Sequence, residues 1–196
     1  MYKKKPFFIV FEGVEGCGKS FQSKKLLNNL KKKRIPALLT REPGGTKSAE
    51  LIRNLILKDY FNHDSKEKFD KYTDTLLYLA ARNEHIKNKI DPALKKKSVV
   101  ICDRFTDSTL AYQVYGKNVN INFINNIHKF ILGKIKPNLT FVLKVSTETS
   151  KKRLKKRKTK NRYDNFAQNF YSKAQNSFLK IAKNKKNYFV LNSSKN

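Results

Sequence analysis

Gly13-Val14-Glu15-Gly16-Cys17-Gly18-Lys19-Ser20 has the residue types and the spacing that can hold a chain of phosphates. Its glycines accept backbone angles that other residues resist, so successive N–H groups can curl around phosphate oxygens. In that arrangement Lys19 reaches the β- and γ-phosphates and the Ser20 hydroxyl ligates Mg²⁺. Further along, Ser98-Val99-Val100-Ile101-Cys102-Asp103 is an apolar run ending in a carboxylate, the position from which phosphate-loop enzymes hold the Mg²⁺ shell. The chemistry these residues point to is phosphoryl transfer from a nucleoside triphosphate.

The acceptor follows from what is missing. Of the three histidines, His63, His85 and His128, none stands beside a convincing nucleophile. A hydroxyl acceptor generally needs a base, whereas a nucleotide phosphate is already anionic at neutral pH. The difficulty is then to bring two anions together, which cations and a metal solve. Arg41, Arg82, Arg104, Arg153, Arg157 and Arg162 are suited to it. A regulatory GTPase is not expected, on the reading that the chain has no Asn-Lys-x-Asp run with which to read guanine.

The formal charge of +29 on 196 residues invites a nucleic-acid reading. However, the lysines are spread along the chain and Asn is abundant too, the mark of a compositional bias rather than of one binding face. Substrates with several phosphates also reward a basic surface. Cys17 and Cys102 lack metal-ligand spacing and cannot make a disulfide framework. The apolar run after Lys3-Lys4-Lys5 stops at Glu12, too short for a signal-peptide core, and no stretch could span a membrane. A single cytoplasmic domain over residues 1–196 is expected.

Short apolar runs must position these groups: residues 6–11, Ala37–Thr40, Ser98–Cys102, Leu139–Val145 and Tyr188–Leu191. They do not alternate apolar with polar, as expected of strands covered on both faces. Helical patterns separate them, among them the stretch with Leu26, Leu27 and Leu30 on one face. An α/β fold with a doubly wound, five-stranded parallel sheet flanked by helices follows. The long segment between the second and third runs holds helix patterns near Thr46–Lys58 and through Thr73–Ile90, with a polar stretch between (59–71). Insertions of this kind usually serve binding. Charged residues end the first three runs (Glu12; Arg41 and Glu42; Asp103 and Arg104), at the strand ends where ligands of such sheets collect.

Several blocks resemble the thymidylate kinases, a family of P-loop nucleoside monophosphate kinases. They are Arg41-Glu42-Pro43-Gly44-Gly45, Ala80-Ala81-Arg82, and Asp103-Arg104 followed by Ser108-Thr109 and Ala111-Tyr112-Gln113. Order and spacing agree from the phosphate loop to about Asp164. The resemblance implies transfer of the ATP γ-phosphate to dTMP, with Mg²⁺, on a homodimer. It makes Arg82 the reader of the thymine edge, Thr109 and Gln113 its polar partners, and Tyr78 the base-stacking ring in place of a usual Phe. Tyr112 would pack under the sugar, Arg104 with Ser108 would face the dTMP phosphate, and Glu15 would lie near the acceptor sugar and phosphate. Arg41 and Glu42 belong to the substrate side, Arg41 as phosphate contact or as structural ion pair.

Residues 151–164 fall where the family has a mobile lid over ATP. With Gly at position 16, the chain resembles the subtype whose charge-stabilising arginine comes from the lid: Arg153, Arg157 or Arg162, with Arg157 favoured. Asn161 stands where many relatives have Asp. After the last run the chain stops at Asn196, where relatives usually continue into a helix, so either one face of the sheet is less covered or the chain is a shortened one. The readings that remain beside this one are another nucleoside monophosphate kinase and a nucleic-acid-binding ATPase.

Overall fold

The computed structural model describes residues 5–58, 68–156 and 168–194. Its centre is a five-stranded parallel sheet made of β1 (Phe7–Glu12), β2 (Ala37–Arg41), β3 (Val99–Asp103), β4 (Leu139–Lys144) and β5 (Tyr188–Asn192), in the order β2-β3-β1-β4-β5. Each strand lies on one of the apolar runs. The register pairs Val10 with Cys102 on one side and with Thr140 on the other, so the charged strand ends come out along one edge.

Why the runs do not alternate is now visible. Ile9 and Phe11 of β1 face one core, with Ile101, Ala174 and Phe178. Phe8 and Val10 face another, with Val100, Cys102, Ile86, Ile90 and Phe105. Both faces of each inner strand need apolar side chains because helices cover both. The first face is covered by α1 (Lys19–Lys32) and α9 (Gln168–Ala182), through Leu26, Leu27, Leu30, Phe178 and Leu179. The second takes a π turn (Ile86–Ile90), α4 (Asp91–Lys95) and the end of α7 (Ile121–Leu132). At the sheet edge Phe189, Val190 and Leu191 of β5 stay about half exposed.

The insertion between β2 and β3 forms α2 (Lys47–Leu57) and α3 (Lys71–His85), which pack on each other. Side-chain caps start both: Thr46 accepts from the Ala49 N–H at 3.2 Å and Asp70 from the Tyr72 N–H at 2.7 Å. Ser146 does the same for α8 (Thr147–Lys155). Of the helices that follow a strand, two start without a cap of this kind. They are α1, behind the phosphate loop, and α5 (Thr106–Thr109), which continues through a π turn (Leu110–Val114) into α6 (Tyr115–Lys117). Both begin at the edge where the charged strand ends converge.

Candidate active site

The donor side is made mostly of backbone. Gly16 and Gly18 have φ of 71° and 91°, left-handed values that side chains resist, and they bend the loop between β1 and α1. A Cβ on Gly18 would meet only Arg153 Nη1, at 4.0 Å, so that side of the loop is open. The first turn of α1 carries no acidic residue, which leaves its N–H groups and positive dipole end for an anion. Lys19, buried, donates to the carbonyls of Gly13 at 3.0 Å and Val14 at 2.9 Å. The Ser20 hydroxyl donates to Asp103 Oδ2 at 2.6 Å, so two hard oxygen ligands stand side by side. Mg²⁺ takes one or two protein oxygens and fills its shell with water and phosphate, and Ser20 with Asp103 fits that pattern. Cys17 is fully buried, a small side chain filling the loop.

The acceptor side is made of side chains. Glu15 is its centre: Oε1 accepts from Arg104 Nη2 at 2.7 Å and Oε2 from the Tyr112 hydroxyl at 2.7 Å. Burial works to raise the Glu15 pKa, but Arg104, Lys19 and the Tyr112 hydroxyl outweigh it and hold the carboxyl below its ordinary value. Burial keeps the Tyr112 phenol protonated, with its pKa raised well above normal. The Arg104 guanidinium lies 5.1 Å from the centre of the Tyr112 ring and also donates to Gly13 O at 2.9 Å and Ser108 Oγ at 3.2 Å. Its backbone has φ 74°, a conformation that costs a non-glycine residue about 1–3 kcal/mol.

Behind this lies a buried wall. Arg82 donates through Nε to Glu42 Oε2 at 2.7 Å, through Nη1 to Thr109 Oγ1 at 2.7 Å and His128 Nε2 at 2.9 Å, and through Nη2 to Phe105 O at 2.9 Å. Arginine can only donate, so His128 must present a bare Nε2. Burial first, and then Arg82, pull the His128 pKa down to about 3, consistent with a neutral ring. Glu42 also pairs with His85 Nδ1 at 3.1 Å, and Arg82 and His85 hold its pKa low against the effect of burial. Glu12 closes the wall beneath the loop after β3. Burial, with Asp107 beside it, pushes its carboxyl up to about 8.

A cavity of about 340 Å³ brings the two sides together. It is lined by Gly16, Gly18, Lys19, Ser20 and Asp103 from the donor side. Glu15, Arg41, Glu42, Tyr78, Arg82, Arg104, Ser108, Thr109, Tyr112 and Gln113 line the rest. Arg41 reaches the rim, where it pairs with Glu50 at 3.0 Å. Arg153 also lines the cavity, donating to the carbonyls of Gly16 at 3.3 Å and Ser193 at 2.8 Å. Arg157 and Arg162 lie outside the described residues, as does the rest of the expected lid beyond Lys156.

Four participants had no role assigned from sequence. Arg53 lines the cavity and donates to Pro43 O at 2.6 Å; its spacing from Ala49 and Leu57, one turn each way on an inward-facing stripe, was the available signal. Glu12 stood out only as a charged strand end, and its role, like those of His85 and His128, carried no local signal because their partners are distant in sequence. One expectation needs correcting. Asn88-Lys89-Ile90-Asp91 does have the letters Asn-Lys-x-Asp, but it runs through a π turn into α4 rather than following a strand. Its side chains are already engaged: Asn88 with Glu84 and Asp91 with Lys95 on their own helical segment, and Lys89 with the distant Gly45 O. It therefore stands apart from any base-reading loop.

Comparison with known proteins agrees with this geometry. The family model described as thymidylate kinase matches residues 11–196. The thymidylate kinase of Wolbachia pipientis wMel is 41% identical over 177 residues, covering 89% of this chain and 84% of that protein. That of Onion yellows phytoplasma is 39% identical over 192 residues, covering 96% and 89%. The crystal structure of thymidylate kinase from Ehrlichia chaffeensis superposes with a TM-score of 0.76 at 31% identity, covering 98% of this chain and 89% of that one. A phosphate loop facing an arginine-rich acceptor pocket, and a match along nearly the whole length, lead to one conclusion: this chain belongs to the thymidylate kinase family.

Proposed function

We propose that the protein transfers the γ-phosphoryl group of ATP to the phosphate of dTMP, giving dTDP and ADP. The observation that carries this reading is the single cavity shared by Lys19, Ser20 and Asp103 on one side and Arg104, Glu15 and Tyr112 on the other. An acceptor phosphate beside Arg104 and Ser108 is already charged and needs no base; it needs its repulsion from the donor offset. Arg104 offsets it at the acceptor and Lys19 at the donor. Glu15, kept ionised, holds Arg104 and Tyr112 in place. Mg²⁺ held by Ser20 and Asp103 would supply further positive charge against the phosphate oxygens. Tyr78 offers a flat face for the thymine ring, and Thr109 and Gln113 polar groups for its edge. Arg153, which donates to the Gly16 carbonyl of the phosphate loop at 3.3 Å, is one candidate for the lid arginine that stabilises the transferring group, with Arg157 and Arg162 as the others.

The same reading includes a homodimer in the cytoplasm. Exposed Leu51 and Leu55, one turn apart on α2, and Leu76 on α3 suit burial against a second copy. Among the described residues no helix is long and apolar enough to cross a membrane. ADP release measured with dTMP, dUMP, dCMP and AMP as acceptors tests the reaction. Preference for dTMP is expected. Faster turnover with another monophosphate would redirect the assignment, and hydrolysis stimulated by DNA without any monophosphate would end it.

A further inference from the structure

Glu12 is fully buried at the end of β1, one residue before the phosphate loop, and is not itself among the residues that line the cavity. Its carboxyl is aimed instead at the start of α5. Oε1 accepts from the Phe105 N–H at 2.8 Å and the Ser108 N–H at 3.2 Å, and Oε2 accepts from the Ser108 hydroxyl at 2.6 Å. The helix start that lacks a cap of its own is thus capped from another strand, 93 residues earlier in the chain. The turn it fixes holds Arg104 in its left-handed backbone conformation on one side and presents Ser108 and Thr109 on the other. Ser108 Oγ, bound to Glu12, is in turn the acceptor for Arg104 Nη1.

We propose that Glu12 is a positioning residue for the acceptor: its carboxyl sets the turn that aims Arg104 and Ser108 at the substrate phosphate and Thr109 at the base. The inference rests on the dTMP kinase reading and deepens it. Lys19, Ser20 and Asp103 are held by contacts of their own. Disturbing Glu12 should therefore weaken the acceptor and spare ATP.

Steady-state kinetics with dTMP and ATP varied separately, on Glu12→Ala, Glu12→Asp and Glu12→Gln, test the assignment. Asp keeps the acid but withdraws it by one methylene. Gln keeps the reach, with one oxygen for the two N–H groups and an amide for Ser108. It also stands in well for a carboxyl whose pKa is raised. Ala and Asp should raise the KM for dTMP on the order of tenfold or more, with the KM for ATP unchanged, and Gln should return it to within about threefold of the parent. Should the Ala variant not fold, Asp and Gln carry the test alone. Equal KM values for dTMP in the Asp variant and the parent would overturn the proposal, and so would parallel losses of ATP and dTMP affinity. A parent enzyme that fails to phosphorylate dTMP would instead sink the reading on which the proposal rests.

Discussion

The phosphate loop and the acceptor shelf face each other across one cavity, yet they are built of different material. The loop is contiguous, its curve set by glycine backbone, and a side chain such as Lys19 is added to a shape that already exists. The shelf is assembled from β1, β2, α3, the start of α5 and α7, and its shape consists of side chains joined by buried hydrogen bonds and ion pairs. Removing a side chain from the loop should therefore take away charge and leave form. Removing one from the shelf should take away both.

Arg82→Ala tests the shelf most severely. It strips Glu42 and His128 of their shared donor in a buried site, and breaking such a pair costs about 3–5 kcal/mol. Thermal unfolding should show a large fall in Tm together with a KM for dTMP raised more than about tenfold. If the KM rose while Tm stayed put, Arg82 would face the ligand rather than build the wall, and the contrast would fail. Lys19→Ala is the matching test of the loop. kcat/KM should fall by about a hundredfold or more, with Tm nearly unchanged. A well-folded variant with near-normal turnover would remove the loop from the chemistry.

Acidification probes the shelf more gently. The folded state keeps His128 neutral, with a pKa near 3 against an ordinary 6.5. The unfolded chain therefore binds the proton more readily, and this group's contribution to stability is lost as pH falls from about 6.5 towards 3. The slope cannot exceed about 1.36 kcal/mol per pH unit for one group. His128→Asn, which keeps an acceptor for Arg82 but does not titrate, should flatten the Tm-versus-pH curve there; an unchanged curve would mean His128 is not the titrating group. Arg41→Ala should do least. The Arg41 side chain is about half exposed and paired with Glu50, and such pairs contribute about 0–1 kcal/mol. A KM for dTMP raised beyond about threefold would move Arg41 from the rim to the phosphate.

The same contrast explains what could be read in advance. The strands were legible because inner strands of a parallel sheet, covered on both faces, must be continuous apolar runs, as Phe7–Phe11 and Val99–Cys102 are. The loop was legible because its function needs particular letters at fixed spacing. Arg82 and Arg104 stood among six candidate arginines, but their separate roles and that of Tyr112 could be assigned only through resemblance, since nothing local tells a pocket arginine from a surface one. The roles of Glu12, noted only as a charged strand end, and of His128 escaped both routes. A buried carboxylate that caps a helix from another strand has no periodicity, and a histidine on an amphipathic helix looks like any core residue until its partner is known.

The packing of Gly16 has a consequence for how such loops can evolve. A Cβ there would stand 2.8 Å from the Ser150 carbonyl oxygen and 2.9 Å from its hydroxyl, and the same hydroxyl ties α8 to the loop through Glu15 O at 2.7 Å. If a lid arginine acts as proposed above, shifting that role into the loop is therefore not a single substitution in this background. The clasp at Ser150 has to open first, and an arginine at position 16 arriving before that change would force apart the two elements that hold Arg153 and Glu15. The two arrangements are separated by an intermediate that selection would disfavour, so lineages that adopt one should rarely drift into the other.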